Sequence, residues 1–574
     1  MNVSEYIVQF FIERKVQHFF GYQGTMIAYF VDAISSNTCA YNHPCYNEQA
    51  AAFAACGFAK ESGKCAVAYA TSGPGAINLC SGIANAYFDS LPVIYITGQI
   101  NTYEYENISG LRQQGFQEIN IVDIGKTICK YAVTITDPNN IHQELEKAYM
   151  IATQGRPGPV IIDLPMNIQR ADVQIIPGNR STGICIQEDH LDTALIDLKE
   201  KLLMYNRPVI IAGNGVNRAC QHYLVNFAQE LRIPIVTSLL ARDMMSYSNQ
   251  VNFGYLGAAY GMRIANLLTA KKADLLICLG VSMCSRQIGT RKDNFAPNAD
   301  IFRIDIELPE NNRTIKPYEK YYCLDVNTFV KNLSKIQNYI KPFEEWFHIA
   351  DYCRKSLKAF DEAILKDEAN VYIKIISDIL TDECTVVCDV GQHMMWVSQT
   401  FEIKNKQRLL FSGGHGAMGY SLPAAIGAYY ASNRITYCIS GDGSFQMNIQ
   451  ELQMVKRESL PIKIIVLNNN SLGMIRFLQN DYFNGRFAGT TTDSSYVPCD
   501  FFKVGSAYGL RSYKIVHPQQ LVDLKDVLLD NMPTLIEIEL PDNTNAFPKT
   551  FLGDEMFNQR PYLPHDLLTE LIDC

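Results

Sequence analysis

GDGSFQMNIQELQMVKRESLPIKIIVLNNNSLGMI, residues 441–475, carries two oxygen-bearing side chains, Asp442 and Asn469, 27 positions apart across one strand-helix-strand unit. Ile435 to Ile439, just before it, reads as a buried strand. Phe445, Ile449, Leu452 and Val455 recur at helical spacing, and Pro461 starts a second apolar run to Leu467. Two parallel strands joined by a helix bring their carboxyl ends together. There the Asp442 carboxylate, the Asn469 side-chain carbonyl and a nearby backbone carbonyl can share one hard cation. Magnesium fits best, with phosphate oxygens completing its octahedron. Gly441 and Gly443 lie just before a helix N-terminus, where anions are favoured, so the unit predicts a diphosphate bound through a metal. Gly-Asp-Gly alone would read as a turn and the asparagine run as a loop; the spacing and the flanking strands outweigh that reading.

The stretch resembles the cofactor motif of thiamine diphosphate enzymes, GDG followed at fixed distance by NN, and within that superfamily it is similar to the acetohydroxyacid (acetolactate) synthase branch. The resemblance implies that Asp442, Asn469 and the main-chain oxygen of Ser471 are the metal ligands. It adds Gly441, Gly443, Ser444, Leu472, Gly473 and Met474 as cofactor contacts.

At 574 residues the chain is too long for one core and suggests three or four domains. Its 47% hydrophobic and 19% charged content is that of a globular protein, and a net charge of −9 with no basic stripe argues against a nucleic-acid partner. The N-terminus, MNVSEYIVQFFIERKV, reads as an amphipathic helix and not a signal peptide. No apolar run approaches the roughly 20 residues needed to span a bilayer. Seventeen cysteines, odd in number and without CxxC, sit mostly in apolar runs; they read as small buried hydrophobes in a reducing cytoplasm.

Strands and helices alternate almost throughout, the pattern of α/β parallel sheets covered on both faces. Three doubly wound domains are expected. They are a pyrimidine-binding domain over 1–170, a central FAD- or nucleotide-binding-like domain over 188–340 and a diphosphate- and magnesium-binding domain over 365–545, with a tail at 546–574. A polar linker over Arg170 to His190 and a helical connector from Lys341 to about Asp367 separate them. The resemblance implies that the first and third blocks are structural duplicates, although no repeat is visible in the residues themselves.

In the first block Glu48, in Asn47-Glu48-Gln49, opens an alanine-rich helix. An acid there ordinarily complements the helix dipole. In the similar enzymes an acid at this position hydrogen-bonds the aminopyrimidine of the cofactor. The chemistry calls for one: a carboxyl of raised pKa in apolar surroundings can share its proton with the pyrimidine and so generate a base beside the weakly acidic thiazolium C2. Thr71-Ser72-Gly73-Pro74-Gly75 resembles the loop that lies against the cofactor, which brings in Thr71, Pro74 and, one turn on, Asn78. Gly115-Phe116-Gln117-Glu118 resembles the segment whose Phe116 and Gln117 face the reacting centre.

In the third block Val390-Gly391-Gln392-His393 resembles a diphosphate-binding segment. Ser412 to Tyr420 resembles SGGxGxMGY, in which Gly416 offers its backbone to the pyrimidine and Met418 holds the two cofactor rings bent together. If Glu48 and Asp442 lie on separate domains yet serve one cofactor, the site forms between domains; by resemblance those come from two chains, so a homodimer or homotetramer is expected. In the middle block Gly213-Asn214-Gly215 follows a strand but lacks a full GxGxxG. Resemblance points to FAD there, with Arg156 and the Gly257 to Asn266 region at flavin positions, while Ser285 to Gly289 departs from the family pattern and leaves only Arg286 as a cation.

Two further departures face the substrate: Met166 stands where the synthases carry a lysine, and Leu478 where they carry a tryptophan. The expected activity is decarboxylation of a 2-oxo acid, pyruvate by resemblance, with transfer of the two-carbon unit to a carbonyl acceptor, as in acetolactate synthase. Loss of the lysine leaves acetyl transfer to a keto sugar or other neutral ketone as an alternative. A flavin-dependent pyruvate oxidase is a second alternative and a non-enzymatic binding protein a third.

Overall fold

The computed structural model describes residues 1–106, 108, 110–173, 190–311, 313–317, 319–366, 368–551 and 553–574. Most of the linker expected over Arg170 to His190, and the expected start of the central domain at 188, lie outside the described residues.

The strands form three six-stranded sheets in which every named pair is parallel. The first holds β1 (His18–Gly21), β2 (Tyr41–Pro44), β3 (Ala66–Ala70), β4 (Val93–Gln99), β5 (Tyr131–Thr134) and β6 (Val160–Pro165), in the order β2-β1-β3-β4-β6-β5. The second holds β7 (Pro208–Ala212), β8 (Ile235–Thr237), β9 (Asn252–Tyr255), β10 (Leu275–Leu279), β11 (Asp300–Asp305) and β12 (Lys320–Cys323), in the order β12-β11-β10-β7-β8-β9. The third holds β13 (Thr385–Cys388), β14 (Arg408–Phe411), β15 (Thr436–Gly441), β16 (Ile462–Asn468), β17 (Arg511–Ile515) and β18 (Thr534–Glu539), in the order β14-β13-β15-β16-β18-β17. Counted from its own first strand, the third sheet repeats the order of the first. The fold is α/β with three doubly wound parallel sheets. Central strands such as β3, β10 and β16 are buried at every residue, as expected of parallel strands covered on both faces.

The two like sheets are joined by a pair of helices. Helix Glu48–Ser62 follows β2 and helix Ser421–Ser432 follows β14, so they are topological equivalents. Each is apolar nearly all round, which suits a helix buried on every side. Ala50 to Ala55 and Ala424, Ala425 and Ala428 are fully buried in one shared apolar cluster. Small residues let the backbones touch: a Cβ on Gly57 would collide with the Ala424 carbonyl oxygen, and one on Gly427 with that of Ala54. The first helix begins at Asn47, whose Oδ1 accepts from Gln49 N at 2.8 Å, and ends at Gly63 in the left-handed region, φ 67°.

Two local expectations need correction. The single helix expected after Asp442 is three pieces, Asp442–Gln446, Ile449–Glu451 and Leu452–Arg457. The break falls at Met447 and Asn448, where Asn448 Nδ2 is drawn away to the Gly419 carbonyl, 2.8 Å, and to Gln49 Oε1, 3.2 Å. β15 also runs through Gly441, so Asp442 is the first helical residue. The tail folds back on the central sheet: its helix His565–Asp573 buries Leu571, and Lys272 Nζ donates to the Leu571 carbonyl at 3.0 Å. Among the described residues no helix is long and apolar enough to cross a membrane.

Candidate active site

β13, β15 and β16 are neighbours in the third sheet, and their carboxyl ends deliver Gln392, Asp442 and Asn469 to one place. Asp442 is 4% exposed. Its Oδ1 accepts from Gly443 N at 2.7 Å and its Oδ2 from Ser471 N at 3.0 Å, so the β15 turn and the loop after β16 are tied through one carboxylate. Burial pushes its pKa up to about 6, against those two bonds and one from the Tyr496 hydroxyl. A carboxylate held charged against a desolvation penalty is the kind of group that a cation stabilises. Asn469 Nδ2 donates to Gln392 Oε1 at 3.0 Å, which leaves the Asn469 carbonyl oxygen and the Gln392 amide nitrogen available. The Ser471 carbonyl already accepts from Gly473 N at 2.8 Å and retains a second lone pair.

The surrounding backbone leaves room for a ligand. Glycine at 473 lets the Gln392 amide lie against its Cα, since a Cβ there would push Gln392 Oε1 aside. At Gly443 a Cβ would lie 2.5 Å from Leu472 Cδ2, 3.0 Å from the Tyr496 hydroxyl and 3.5 Å from Met418 Cε, which places Met418 and Leu472 over the same turn. His393 sits behind Gly391 and Gly441; it is buried, its pKa is pulled down to about 3 by desolvation, and its Nε2 has no hydrogen-bond partner. A neutral imidazole with an orphaned buried nitrogen beside two glycine turns faces a phosphate oxygen only as the Nε2–H tautomer, in which Nδ1 gives up its bond to the Asp389 carbonyl. Met474 is half-buried against the core of the third sheet. Among the described residues no three His, Cys, Asp or Glu side chains could hold a metal. A cation here would rest on Asp442, Asn469, the Ser471 carbonyl and a ligand's own oxygens.

The loop over 412–419 is shaped from the first sheet's side. Ser412 Oγ donates to Asn85 Oδ1 at 2.6 Å and accepts from Gly416 N and Ala417 N at 3.1 and 3.2 Å. Asp89 accepts from Gly414 N at 2.7 Å. Gly416 has φ 69°, and open space lies where its Cβ would be.

The first sheet gathers the second set. Glu48 is 9% exposed at the helix start and its Oε2 accepts from Asn78 Nδ2 at 3.0 Å. Thr71 and Glu48 both border Gly75, a Cβ there lying 3.1 Å from Glu48 Oε1, and Pro74 opens the helix Pro74–Phe88. Gln117 adopts φ 59° and presses its carbonyl on Gly73, while Phe116 is 78% exposed. Among the described residues no hydrogen bond or ion pair joins Glu48 to Asp442.

A cavity of about 860 Å³ lies where the three sheets meet. Arg156, Gly215, Tyr260, Arg286, Met395 and Gly414 are among its walls. Arg156 is held by Glu307 at 2.8 Å and Glu310 at 3.6 Å. Gly213 is not among the lining residues; a Cβ there would collide with the Gly280 carbonyl, so packing accounts for this glycine.

Four residues of the site escaped the sequence reading. Asp389 accepts from Val390, Gly419 and Ser421 N at 2.8, 3.0 and 2.7 Å and so fixes Val390 and Gly391 against the Met418 loop. A lone acid ending an apolar strand was its available signal. Asn85 and Asp89 lie in Ala84 to Pro92, a segment that also resembles the family but whose likeness gave neither residue a role. Tyr496 carried no signal.

A buried carboxylate near amide and carbonyl oxygens on one doubly wound domain, a buried acid on a second and a large cavity against a third are the arrangement of three-domain thiamine diphosphate enzymes. Models of the thiamine pyrophosphate enzyme N-terminal TPP binding domain, central domain and C-terminal TPP binding domain match residues 1–124, 196–333 and 389–538. The chain is 32% identical to the acetolactate synthase large subunit of Lactococcus lactis, over 96% of this chain and 95% of that one. It is 31% identical to the isozyme 2 large subunit of Escherichia coli, over 96% and 97%. To the probable large subunit of Methanocaldococcus jannaschii it is 32% identical, over 97% and 95%. The chain belongs to the acetolactate synthase large-subunit family of thiamine pyrophosphate enzymes.

Proposed function

We propose that this protein is an acetolactate synthase, decarboxylating pyruvate and joining the two-carbon unit to a second 2-oxo acid. The observation that carries this reading is the Asp442, Asn469 and Gln392 cluster at the ends of β13, β15 and β16, in a chain related over nearly its whole length to synthases. When bound, thiamine diphosphate supplies the electron sink for the carbanion equivalent left by carbon dioxide.

Asp442, Asn469 and the Ser471 carbonyl hold magnesium in this reading. Gln392 Nε2 and the N–H groups of Gly391 and Ser444 donate to the diphosphate, with His393 as its Nε2–H tautomer, while Val390, Gly441, Gly443, Leu472 and Gly473, whose N–H groups already bond within the chain, line it. Met418, Met474 and Gly416 bracket the rings. Glu48, oriented by Asn78, lends its proton to the pyrimidine, and Phe116 and Gln117 with Thr71 and Pro74 close over the reacting centre and exclude water.

FAD fits the cavity of about 860 Å³, with Arg156, Gly215 and Arg286 on its walls. The protein is a homodimer in which Glu48 of one copy faces Asp442 of the other. Support comes from the apolar side chains exposed near the two groups, Phe116 on the first domain and Ile475 and Leu478 on the third. Sixteen described cysteines are free, which suits the reducing cytoplasm. The domain limits 1–170, 188–340 and 365–545 are a working division.

Neither the keto sugar acceptor nor the oxidase is favoured, since the relatives are synthases by name. Product analysis with pyruvate, thiamine diphosphate and magnesium tests the reading: acetolactate supports it, and acetate with reduced flavin, or no carboligation product, overturns it.

A further inference from the structure

Two thiols meet where the tail docks on the central domain. Cys353 lies on the helix Glu344–Ile364, and Cys574 follows the tail helix His565–Asp573. Their sulfurs are 3.7 Å apart although 221 positions separate them in sequence. Both lie against one backbone oxygen: the Leu571 carbonyl is 4.0 Å from Cys353 Sγ and 3.6 Å from Cys574 Sγ. A disulfide holds its sulfurs at about 2.0 Å, so these two must approach by roughly 1.7 Å, within reach of a side-chain rotation.

The contact is held from both sides. Leu571 is fully buried, and Tyr352, the residue before Cys353, donates from its hydroxyl to the Glu570 carboxylate. Lys272 is 2% exposed; its Nζ donates to the Leu571 carbonyl at 3.0 Å, the Cys574 carbonyl at 2.8 Å and Cys574 Sγ at 3.5 Å. One ammonium thus fixes the end of the tail helix and the sulfur together. The two thiols differ in access, Cys574 being exposed and Cys353 fully buried. Desolvation, and after it the neighbouring Cys574 sulfur, pushes the Cys353 thiol up to about 12, with Lys272 opposing. Thiolate is the nucleophile in disulfide exchange, so the exposed Cys574 reacts first.

We propose that Cys353 and Cys574 are a redox modification site that accepts a small-molecule disulfide, RS–SR, and closes into an intramolecular Cys353–Cys574 bond. The Cys574 thiolate attacks one sulfur of RS–SR; the S–S bond breaks, and the departing RS⁻ takes up the proton that Cys574 released. In the mixed disulfide Cys574 carries no charge, so its repulsion of a Cys353 thiolate falls away while the attraction of Lys272 stays. Cys353 then attacks the Cys574 sulfur, its proton passing to the second departing RS⁻. Two protein thiols are oxidised to one disulfide, and RS–SR is reduced to two RSH. In a reducing compartment the pair rests as free thiols and closes when RS–SR accumulates. The bond anchors the far end of the tail. Its near end lies on the helix Gly473–Tyr482, where Phe547 and Phe551 pack on Phe477.

The test uses full-length protein with thiamine diphosphate, magnesium and FAD present, and glutathione disulfide as the oxidant. Non-reducing peptide mapping of the native wild type is expected to show the Cys353 and Cys574 peptides joined, with both thiols lost and then restored by dithiothreitol. Cys353→Ser is expected to stop at glutathione on Cys574, and Cys574→Ser to leave Cys353 unmodified; Cys353→Ala serves should the buried serine prevent folding. Because the bond closes a long stretch of chain, the oxidised wild type is expected to unfold at a higher urea midpoint than the reduced protein, a shift absent from Cys574→Ser. Glutathione that persists on Cys574 of the wild type, a Cys574 that resists glutathione disulfide, or a Cys353–Cys574 bond that forms only in urea overturns the proposal.

Discussion

The first and third sheets have one strand order and opposite chemistry. At the exit of β15 stands Asp442; at the exit of its equivalent, β3, stands the Thr71-Ser72-Gly73 turn, with no acid. The exit of β16 supplies Asn469, and that of β4 leads into Ile100 and Asn101. Conversely the exit of β2 leads to Glu48, whereas the exit of β14 leads to the glycine loop Ser412 to Gly416. A parallel sheet offers the same crevice at its carboxyl edge in both copies. What differs is which exit carries a carboxylate and whether a second oxygen donor stands beside it. Among the described residues the exits of β15 and β16 set the Asp442 carboxylate near the side-chain oxygen of Asn469, whereas the exit of β2 leads to Glu48 with Asn78 as its bonded neighbour.

Three measurements probe that division. Glu48→Gln is expected to lower kcat by about 10²- to 10⁴-fold, the usual worth of a positioned acid, with thiamine diphosphate binding retained. Asp442→Ala is expected to weaken magnesium-dependent cofactor binding by more than the 10- to 100-fold typical of residues that only support a metal ligand. Calorimetric titration with magnesium present separates the two, and loss of binding in the Glu48 variant would erase the contrast. Mixing the two inactive proteins sharpens it further. If each site takes Glu48 from one copy and Asp442 from the other, half of the re-formed dimers carry one intact site, and about a quarter of wild-type activity returns. No recovery would place both groups in one chain's site.

The contact between the like domains should be sensitive to single atoms. Gly427→Ala drives a methyl group into the Ala54 carbonyl across the helix pair, and the cost expected of overpacking is about 1–3 kcal/mol. A fall in the urea midpoint without a change in slope would register it. The alanine-rich stretch after Glu48 gave warning that a close neighbour exists, but not which one. That neighbour is the equivalent helix of the other domain, and the equivalence is visible in strand order and not in residues.

Other parts were hidden for the same reason. Alternation of strands and helices, and the Asp442 to Asn469 spacing, are local patterns, so the fold class and the meeting of the loops after β15 and β16 could be read directly. Tyr496 reaches Asp442 from a loop with no motif, and Asp389 acts by receiving three backbone N–H groups that only the folded chain brings together. The helix after Asp442 breaks because Asn448 bonds to Gly419 and Gln49, partners remote in sequence. Apolar spacing records burial and not such bonds.

The last contrast concerns acid. His18 and His43 lie on β1 and β2, with His18 Nδ1 and His43 Nε2 2.8 Å apart and His43 packed on Tyr430 of the helix Ser421–Ser432. By strand register the third-sheet equivalents are Thr385 and Leu410, which do not titrate. Burial pulls His43 down to about 3 and His18 down to about 4. Both folded-state values lie below the unfolded value of about 6.5, so the unfolded chain takes up protons first. Their contribution to stability is whole above about pH 6.5 and is lost as pH falls toward the folded values. Near pH 5.5 each such histidine costs about 1.4 kcal/mol. His43→Leu, which copies the third sheet, removes one of the two and is expected to flatten the decline in Tm between about pH 7 and 5. An unchanged slope would mean that the acid sensitivity resides elsewhere, His393 in the diphosphate cradle being the other buried histidine pulled down to about 3.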